Sequence, residues 1–215
     1  MAPGRIFGGS GLSRVVLALA SSNPGKLREI RSLLSGLALE VTSVAQLGGV
    51  VFPEEGAEYA PNAIAKAKAA AIQLGCWAVA DDSGLEVEGL DGAPGALSAR
   101  YGGPGLDDGG RVDHLLAELA LRPEASRHAR FVCVAALASP QGEVHTERGE
   151  CPGRILPAPR GGAGFGYDPV FEPKGYTGSM AELSSEQKEA ISHRGRALGR
   201  LRPAIEVVAS GPGTD

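Results

Sequence analysis

Hydrophobic and polar positions along the first third of the chain alternate between strand-like and helix-like patterns. Val15 to Ala20 is a continuous apolar run of strand length, and apolar side chains then recur at helical spacing in residues 27–34. A second strand is predicted at Leu39 to Val44, a helix at Ala60 to Leu74 and a third strand at Cys76 to Ala80. Strands that alternate with helices in this way predict an α/β fold.

The rest of the chain adds a hairpin and two further helices. A helix is predicted at Asp108 to Leu121, and two apolar segments, Ala129 to Ala138 and Glu143 to Gly149, flank a polar turn typical of a β-hairpin. A capping box formed by Ser184 and Gln187 begins a single last helix with apolar residues on its inner face. Because the hairpin supplies antiparallel strands, we expect a mixed sheet.

The composition is that of a globular protein rich in loops. The 215 residues include 32 glycines and 15 prolines, which is below the roughly 25–30% of the chain that indicates disorder. We expect a flexible leader at residues 1–13, a catalytic domain of two lobes at residues 14–208 and a tail at residues 209–215. The net charge of −4 argues against a broad nucleic-acid-binding surface, so we expect no nucleic-acid partner.

The N-terminus and the cysteines favour a cytoplasmic protein. The apolar run at residues 15–20 is shorter than the core of a signal peptide, and no segment is long enough to span a bilayer, so no membrane partner is expected. The three cysteines are odd in number and lack CxxC spacing, which favours reduced thiols and argues against a zinc site.

Two adjacent carboxylates, Asp81 and Asp82, follow the third predicted strand. The Asp-Asp-Ser-Gly segment that contains them is typical of a turn. Neighbouring carboxylates repel each other and are costly to desolvate, and a divalent cation would keep both ionised. The pair is therefore a candidate metal and general-base site, while a turn with only local hydrogen bonds is the alternative that this segment alone favours.

The segment from Ser21 to Lys26 joins the first strand to the first helix. Asn23 is a good N-cap, and Pro24 suits the first helical position. The N–H groups and the dipole of a helix N-terminus favour phosphate, to which Ser21, Asn23 and Lys26 would add a hydroxyl, an amide and a cation. Because the spacing is not that of a Walker A motif, a well-capped helix with a solvated lysine is the alternative.

An acidic loop and the helix that follows it could bring further groups to Asp82. Glu54 and Asp82 would supply the one or two carboxylates that magnesium usually takes from a protein. Asn62 and Lys66 lie one helical turn apart and could face the same cleft or simply face solvent. A solvated acidic loop is the alternative to the metal site.

Two C-terminal segments carry candidate groups for recognising a base. Phe165 and Tyr167 offer a stacking surface, and Lys188 lies at helical spacing from the turn that carries His193 and Arg194. A core-filling phenylalanine and a solvated basic helix face are the alternatives. Combined with the phosphate and carboxylate groups, this set favours a nucleoside triphosphate hydrolase.

Four segments carry a resemblance to a known family. In chain order they are LALASSNPGKLREIRSLL, ADDSGLEVEGLDGAPGALSARYGG, GGAGFGYDPVF and AELSSEQKEAISHRGRAL, and they extend over about residues 15–202. The chain closely resembles the non-canonical purine nucleoside triphosphate pyrophosphatases, the inosine triphosphatase or Ham1-like family. The resemblance implies a two-lobed α/β fold with a long mixed central sheet flanked by helices, an active-site cleft between the lobes, and a homodimer.

The resemblance also implies roles for individual residues. Asp82 would be the catalytic base and would bind Mg²⁺ together with Glu54. Glu55 stands where the family usually has threonine, which leaves open which of the two glutamates meets the metal. The expected substrate-binding residues are Ser21, Ser22, Asn23, Pro24, Gly25, Lys26, Ser83, Phe165, Gly166, Tyr167, Asp168, Lys188, His193 and Arg194, and the supporting residues are Asp81, Asn62 and Lys66.

The function implied by the resemblance is Mg²⁺-dependent hydrolysis of ITP, dITP and XTP to the nucleoside monophosphate and pyrophosphate, which would cleanse the nucleotide pool. Two alternatives are a pyrophosphatase for other modified nucleotides and a nucleotide-binding sensor without catalytic activity.

Overall fold

The computed structural model describes residues 15–21 and 23–211. The predicted leader at residues 1–13, Ser22, and the last four residues of the predicted tail lie outside the described residues. The helices are α1 (Pro24–Leu33), α2 (Tyr59–Leu74), α3 (Asp108–Ala120), α4 (Ser185–Ile191) and α5 (His193–Ser210). The strands are β1 (Val15–Leu19), β2 (Leu39–Ser43), β3 (Trp77–Val87), β4 (Pro94–Gly95), β5 (His128–Ala138), β6 (Val144–Ile155) and β7 (Phe171–Pro173).

The strands form one mixed sheet in the order β2-β1-β3-β5-β6-β7, with β4 paired to β3. The pairs that β1 makes with β2 and β3 are parallel. The pairs β3–β5, β5–β6 and β6–β7 are antiparallel, so the predicted α/β fold and mixed sheet are confirmed.

Three apolar cores lie along this sheet. One face of its parallel half packs against α1 and α5, and the other face packs against α2 through alanine side chains that are fully buried. The third core lies at the far end, among α3, β7 and the ends of the long strands. Because β3, β5 and β6 have 11, 11 and 12 residues, each extends from the first two cores into the third and joins two lobes.

The predicted turn at Asp-Asp-Ser-Gly is wrong, because β3 continues through these residues. Residues 81–84 pair with residues 135–132 of β5 in an unbroken antiparallel register. The ladder of hydrogen bonds outweighs the local turn preference of the Asp, Ser and Gly residues. Gly84 is required by packing, since a Cβ atom there would lie 1.9 Å from the carbonyl oxygen of Gly95.

The prediction of a single last helix is also wrong. The capping box of Ser184 and Gln187 begins α4 as predicted, but α4 ends at Ile191. Ser192 has extended backbone, and its Oγ atom accepts a 3.0 Å hydrogen bond from Gly195 N, so it caps a separate helix. A Cβ atom at Gly195 would lie 2.0 Å from a carbonyl oxygen of α4, so glycine permits this tight junction.

Other local predictions are confirmed. Asn23 caps α1 with Pro24 in its first turn, and α2, predicted at Ala60 to Leu74, extends over Tyr59–Leu74. All three cysteines lie in the described part of the chain, and they are free thiols that are buried or partly buried. Helix α5 ends at Ser210, two residues beyond the predicted domain end. Within residues 15–21 and 23–211, no helix combines the length and apolar character that a membrane span requires.

Candidate active site

Asp81 and Asp82 lie on opposite faces of the sheet, because successive side chains of a strand alternate. Asp81 is on the face covered by α1 and α5, where it contacts Lys26 and Arg194. Asp82 is on the face covered by α2, where it contacts Lys66. The hypothesis that one cation keeps both carboxylates ionised is therefore wrong, since each carboxylate has cationic partners of its own.

Asp81 is a buried carboxylate surrounded by donors. Its Oδ2 atom lies 3.1 Å from Lys26 Nζ and 2.9 Å from Arg194 Nη2, and it accepts a 2.6 Å hydrogen bond from Ser83 Oγ. Burial would raise the pKa of Asp81, but Arg194 and Lys26 hold that pKa well below its usual range. The carboxylate is therefore ionised at neutral pH, while its Oδ1 atom is buried without a hydrogen-bond partner among the described residues.

A row of alternating charges continues from Arg194 toward the glycine-rich loop at residues 161–166, which we call the C-terminal loop. Arg194 pairs with Glu29 through Nη1 and with Asp81 Oδ2 through Nη2. Glu29 Oε1 lies 2.7 Å from Lys188 Nζ, which in turn lies 2.6 Å from Asp168 Oδ2. Sequence reasoning missed Glu29, although helical spacing places it on the same face of α1 as the predicted phosphate-binding lysine.

The cap of α1 already uses two of the N–H groups expected to bind phosphate. Asn23 Oδ1 accepts hydrogen bonds from Gly25 N at 2.8 Å and Lys26 N at 3.1 Å, and Ser21 Oγ accepts one from Asn23 N at 3.1 Å. A phosphate at this terminus would compete with the cap for these donors. The Lys26 ammonium group is not part of this cap and lies 3.1 Å from Asp81 Oδ2.

A cavity of about 290 Å³ lies between α1, α4 and the C-terminal loop. The Phe165 ring lines it and rests on Gly25, where a Cβ atom would come within 2.7 Å of the ring. The ring centroid is 4.9 Å from Lys188 Nζ and 5.6 Å from Arg194 Cζ. Asp168 Oδ2 accepts a 2.9 Å hydrogen bond from Phe165 N, so the same carboxylate that binds Lys188 also holds this loop.

Tyr167 and His193, both predicted to bind substrate, have buried side chains. The Tyr167 hydroxyl donates a 3.0 Å hydrogen bond to the carbonyl oxygen of Ser98, and its ring lies in the third core. The His193 ring stacks on Phe131 with centroids 4.7 Å apart. Burial and the neighbouring Arg194 lower the pKa of His193 well below its usual value, so its imidazole is neutral at neutral pH.

The environment of Asp82 is built by α2. Asp82 Oδ1 lies 3.2 Å from Lys66 Nζ, and Oδ2 accepts a 2.9 Å hydrogen bond from Asn62 Nδ2. Both partners are buried, so the alternative in which Asn62 and Lys66 face solvent is wrong. Burial raises the pKa of Asp82 above its ordinary value even though Lys66 and Asn62 lower it.

The acidic loop meets Asp82 through Lys66. Lys66 Nζ lies 2.8 Å from Glu55 Oε1, so one ammonium group bridges Glu55 and Asp82. Glu54 is exposed and makes no ion pair with any described residue. No group of three metal-ligating side chains converges within residues 15–21 and 23–211.

These residues fit a hard divalent cation. The carboxylates near Asp82 are the oxygen ligands that Mg²⁺ prefers, and Mg²⁺ commonly takes only one or two carboxylates together with substrate phosphates. The Lys66 ammonium group lies between the carboxylates of Glu55 and Asp82. The space between these two carboxylates therefore favours positive charge.

Sequence reasoning missed two further contacts. Asp108 Oδ2 accepts a 2.7 Å hydrogen bond from Gly166 N, which ties α3 to the loop that carries Phe165. Arg100 Nη2 donates a 3.1 Å hydrogen bond to the carbonyl oxygen of Glu55. Both contacts join residues that are far apart in sequence, so only the tertiary structure reveals them.

Comparisons with known proteins agree on one family. The model of the family described as "Ham1 family" matches residues 17–204. The chain is 51% identical over 197 residues to a dITP/XTP pyrophosphatase of Deinococcus deserti, covering 91% of this chain and 92% of that protein. It is 48% identical over 199 residues to a dITP/XTP pyrophosphatase of Mycobacterium tuberculosis, covering 91% of this chain and 97% of that protein.

Solved structures show the same fold. A HAM1 protein from Coxiella burnetii superposes with a TM-score of 0.80 at 39% identity, covering 89% of this chain and 98% of that one. A nucleoside-triphosphatase / dITP/XTP pyrophosphatase from Mycobacterium abscessus superposes with a TM-score of 0.69 at 42% identity, covering 88% of this chain and all of that one.

Proposed function

The chain belongs to the Ham1 family, and on this basis we propose that it hydrolyses non-canonical purine nucleoside triphosphates, namely ITP, dITP and XTP, to the monophosphate and pyrophosphate. One observation carries the proposal beyond the family relationship. Strand β3 presents Asp82, a carboxylate whose pKa is raised, on one face and the row of alternating charges that includes Lys26 and Arg194 on the other. A proton acceptor and cations that offset phosphate charge are the two kinds of group that hydrolysis of a polyanionic substrate uses.

The cations of this row would bind the substrate. Lys26 at the N-terminus of α1, with the hydroxyl groups of Ser21 and Ser83 near it, would contact the phosphates and offset their charge. The cavity beside Phe165 would receive the base, and the ring would stack on it. Lys188, held between two carboxylates, would lie at the edge of the same cavity.

Asp82 would act as the general base. Burial raises its pKa, which makes the carboxylate a stronger proton acceptor than an exposed aspartate. Lys66 and Asn62 each hold one of its oxygens and would fix the direction from which it meets the attacking water. The proton of that water would pass to the Asp82 carboxylate.

Mg²⁺ would be held by Asp82 together with Glu54, or with Glu55 if the loop keeps the arrangement seen here. When bound, Mg²⁺ would supply neutralisation of charge on the phosphate oxygens. The exposed position of Glu54 leaves its carboxylate available as a ligand, while Lys66 supplies positive charge between Glu55 and Asp82.

Turnover of XTP, dITP, ITP, GTP and ATP with Mg²⁺, with pyrophosphate and phosphate measured separately, tests the function. We expect pyrophosphate to be the product, and XTP, dITP and ITP to be preferred over ATP by on the order of 10³-fold, or about 4 kcal/mol. Buried hydrogen-bonding groups left unpaired by a 6-amino purine can produce a preference of this size.

Other outcomes of the same assay would contradict the proposal. Release of single phosphates, or equal rates with ATP, would exclude this reaction. Preference for modified pyrimidine triphosphates would indicate a different pyrophosphatase. Tight binding without turnover would indicate a sensor.

The assembly and the compartment are part of the proposal. The family resemblance supports a homodimer, which light scattering coupled to size-exclusion chromatography would detect as twice the mass of one chain. The three free thiols support the reducing environment of the cytoplasm.

A further inference from the structure

A short turn at Ser98–Arg100 connects three parts of the candidate site. Ser98 Oγ accepts a 2.8 Å hydrogen bond from Leu85 N in β3 and donates one of 2.7 Å to Gly95 O. The Tyr167 hydroxyl donates to the carbonyl oxygen of Ser98. The turn is thus fixed both to the strand that carries the catalytic carboxylate and to the loop that lines the base cavity.

The third connection is made by Arg100. Its Nη2 atom donates a 3.1 Å hydrogen bond to the carbonyl oxygen of Glu55, and its Nη1 atom lies 3.8 Å from Glu55 Oε2. Among the described residues, the Arg100 guanidinium group makes no other hydrogen bond or ion pair. The planar guanidinium group of Arg100 therefore contacts both the main chain and the side chain of Glu55.

The acidic loop that Arg100 holds has little structure of its own. Residues 51–57 are exposed and contain no helix or strand. Helix α2 holds the loop from one side, since Asn62 bonds both Gly56 N and Gly56 O, and Lys66 pairs with Glu55. Arg100 holds it from the other side of the cleft, on a turn docked to β3.

We propose that Arg100 is a positioning residue that fixes the acidic loop at residues 51–57 against the Ser98–Arg100 turn, so that the loop's carboxylates face Asp82 in the geometry that a divalent cation needs. This inference rests on the metal-dependent activity proposed above. Loss of the guanidinium group would free the loop on one side and weaken cation binding, while the base cavity, which Arg100 does not contact, would keep its selectivity.

Arg100→Gln tests the proposal, with Arg154→Gln as the matched control. Arg154 is a half-exposed arginine that pairs with Glu172 near the far end of β6, away from the cleft. Amide hydrogen exchange in the metal-free protein measures the order of the loop. The Gly56 amide reports on the loop, because its N–H donates a 2.8 Å hydrogen bond to Asn62 Oδ1 and it follows the Glu55 carbonyl group that Arg100 holds. We expect its exchange to be about tenfold faster in Arg100→Gln, since a hydrogen bond from a charged group is lost, and unchanged in Arg154→Gln.

Metal dependence gives the second readout. The Mg²⁺ concentration for half-maximal turnover should rise roughly tenfold in Arg100→Gln, whereas kcat at saturating Mg²⁺ and the XTP-to-ATP ratio should stay near those of the wild type. Mn²⁺ binding followed by electron paramagnetic resonance should weaken in parallel. Arg100→Lys keeps the charge but loses the planar fork, so it should recover part of the Mg²⁺ affinity.

Unchanged exchange of the Gly56 amide in Arg100→Gln would overturn the proposal. So would an unchanged Mg²⁺ requirement, or a loss of base selectivity equal to the loss of metal affinity. Because the exchange measurement needs neither metal nor substrate, it decides the positioning role even if the protein hydrolyses none of the nucleotides, and the two proposals can fail separately.

Discussion

At the scale of single residues, one step along β3 separates two opposite electrostatic environments. Asp81 is buried against Arg194 and Lys26, which lower its pKa and keep it ionised. Asp82 is less deeply enclosed, and desolvation raises its pKa above the ordinary value despite the ammonium group of Lys66. The first carboxylate is therefore a structural counter-ion, and the second is suited to accept a proton.

Isosteric amides at the two positions should separate these roles. Asp82→Asn should abolish pyrophosphate release with little change in melting temperature, because the amide cannot accept the proton. Asp81→Asn leaves the buried cation Arg194 short of a partner and should cost about 3–5 kcal/mol of unfolding free energy. For a chain of this size the melting temperature should fall by roughly 10 °C.

Assays of pyrophosphate release and thermal unfolding on both variants check this pair of predictions. Near-wild-type turnover in Asp82→Asn would remove that residue from the base role. A melting temperature unchanged in Asp81→Asn would mean that Arg194 and Lys26 do not depend on this carboxylate.

At the scale of secondary-structure elements, the close approach of α5 to β6 positions the cationic end of the site. Gly149 of β6 lies under the first turn of α5, where a Cβ atom would be 2.2 Å from His193 O and 2.5 Å from Ala197 N. This turn carries Arg194, whose guanidinium group reaches Asp81. The missing side chain at position 149 therefore sets the depth at which α5 sits on the sheet.

Gly149→Ala should push α5 away from the sheet. We expect a loss of about 1–3 kcal/mol in unfolding free energy from overpacking, together with a higher KM, because Arg194 moves with the helix. Gly199→Ala is the matched control on the same helix, since a Cβ atom there would meet nothing within 4 Å. The unfolding free energy of Gly199→Ala should rise by about 1 kcal/mol, because alanine has a higher helix propensity than glycine.

Urea unfolding and steady-state kinetics measure both glycine variants. Equal effects of the two substitutions would contradict the packing argument, since only one of the two positions is closed by backbone atoms.

At the scale of the whole molecule, the long strands couple the two lobes. Because β3, β5 and β6 extend through both lobes, we expect the described domain to unfold in one cooperative transition. A single buried group can then affect the stability of the entire fold. His193 is such a group, since burial and Arg194 lower its pKa well below the usual value.

The sign of the pH dependence follows from that shift. Below the unfolded-state pKa of about 6.5, His193 binds a proton only when the protein unfolds, so stability falls as the pH falls. For one such group the loss is at most about 1.4 kcal/mol per pH unit.

Urea unfolding between pH 7.5 and 5, a window set by the ordinary histidine pKa of about 6.5, checks this prediction with His193→Gln as the control. The control lacks the titrating group, so its stability should fall less steeply over the same range. Equal slopes in the two proteins would contradict the assignment of a neutral, buried imidazole.

Much of the fold was predictable from local patterns. The apolar runs and caps predicted β1, α1, α2 and β5 to within a few residues, because strand and helix periodicities depend on neighbours in sequence. The hairpin was also predicted, but its second strand, β6, continues six residues beyond the predicted end at Gly149. The continuation of β3 and the break before α5 were not predictable in this way. The first depends on pairing with β5, which is far away in sequence. The second depends on the close backbone approach of Gly195 to Glu189 at the α4–α5 junction, which the spacing of apolar residues does not indicate.

The sequence by itself determined the family to which the chain belongs, because motif spacing and residue type are local properties of the chain. Only the tertiary structure decided how the charges are distributed: Asp81 faces Arg194, and Asp82 faces Lys66. Glu29 and Arg100 acquire partners only when distant elements pack. The physical reason is that strand pleat and register determine which face a side chain occupies, and the partners on that face come from elements far away in sequence.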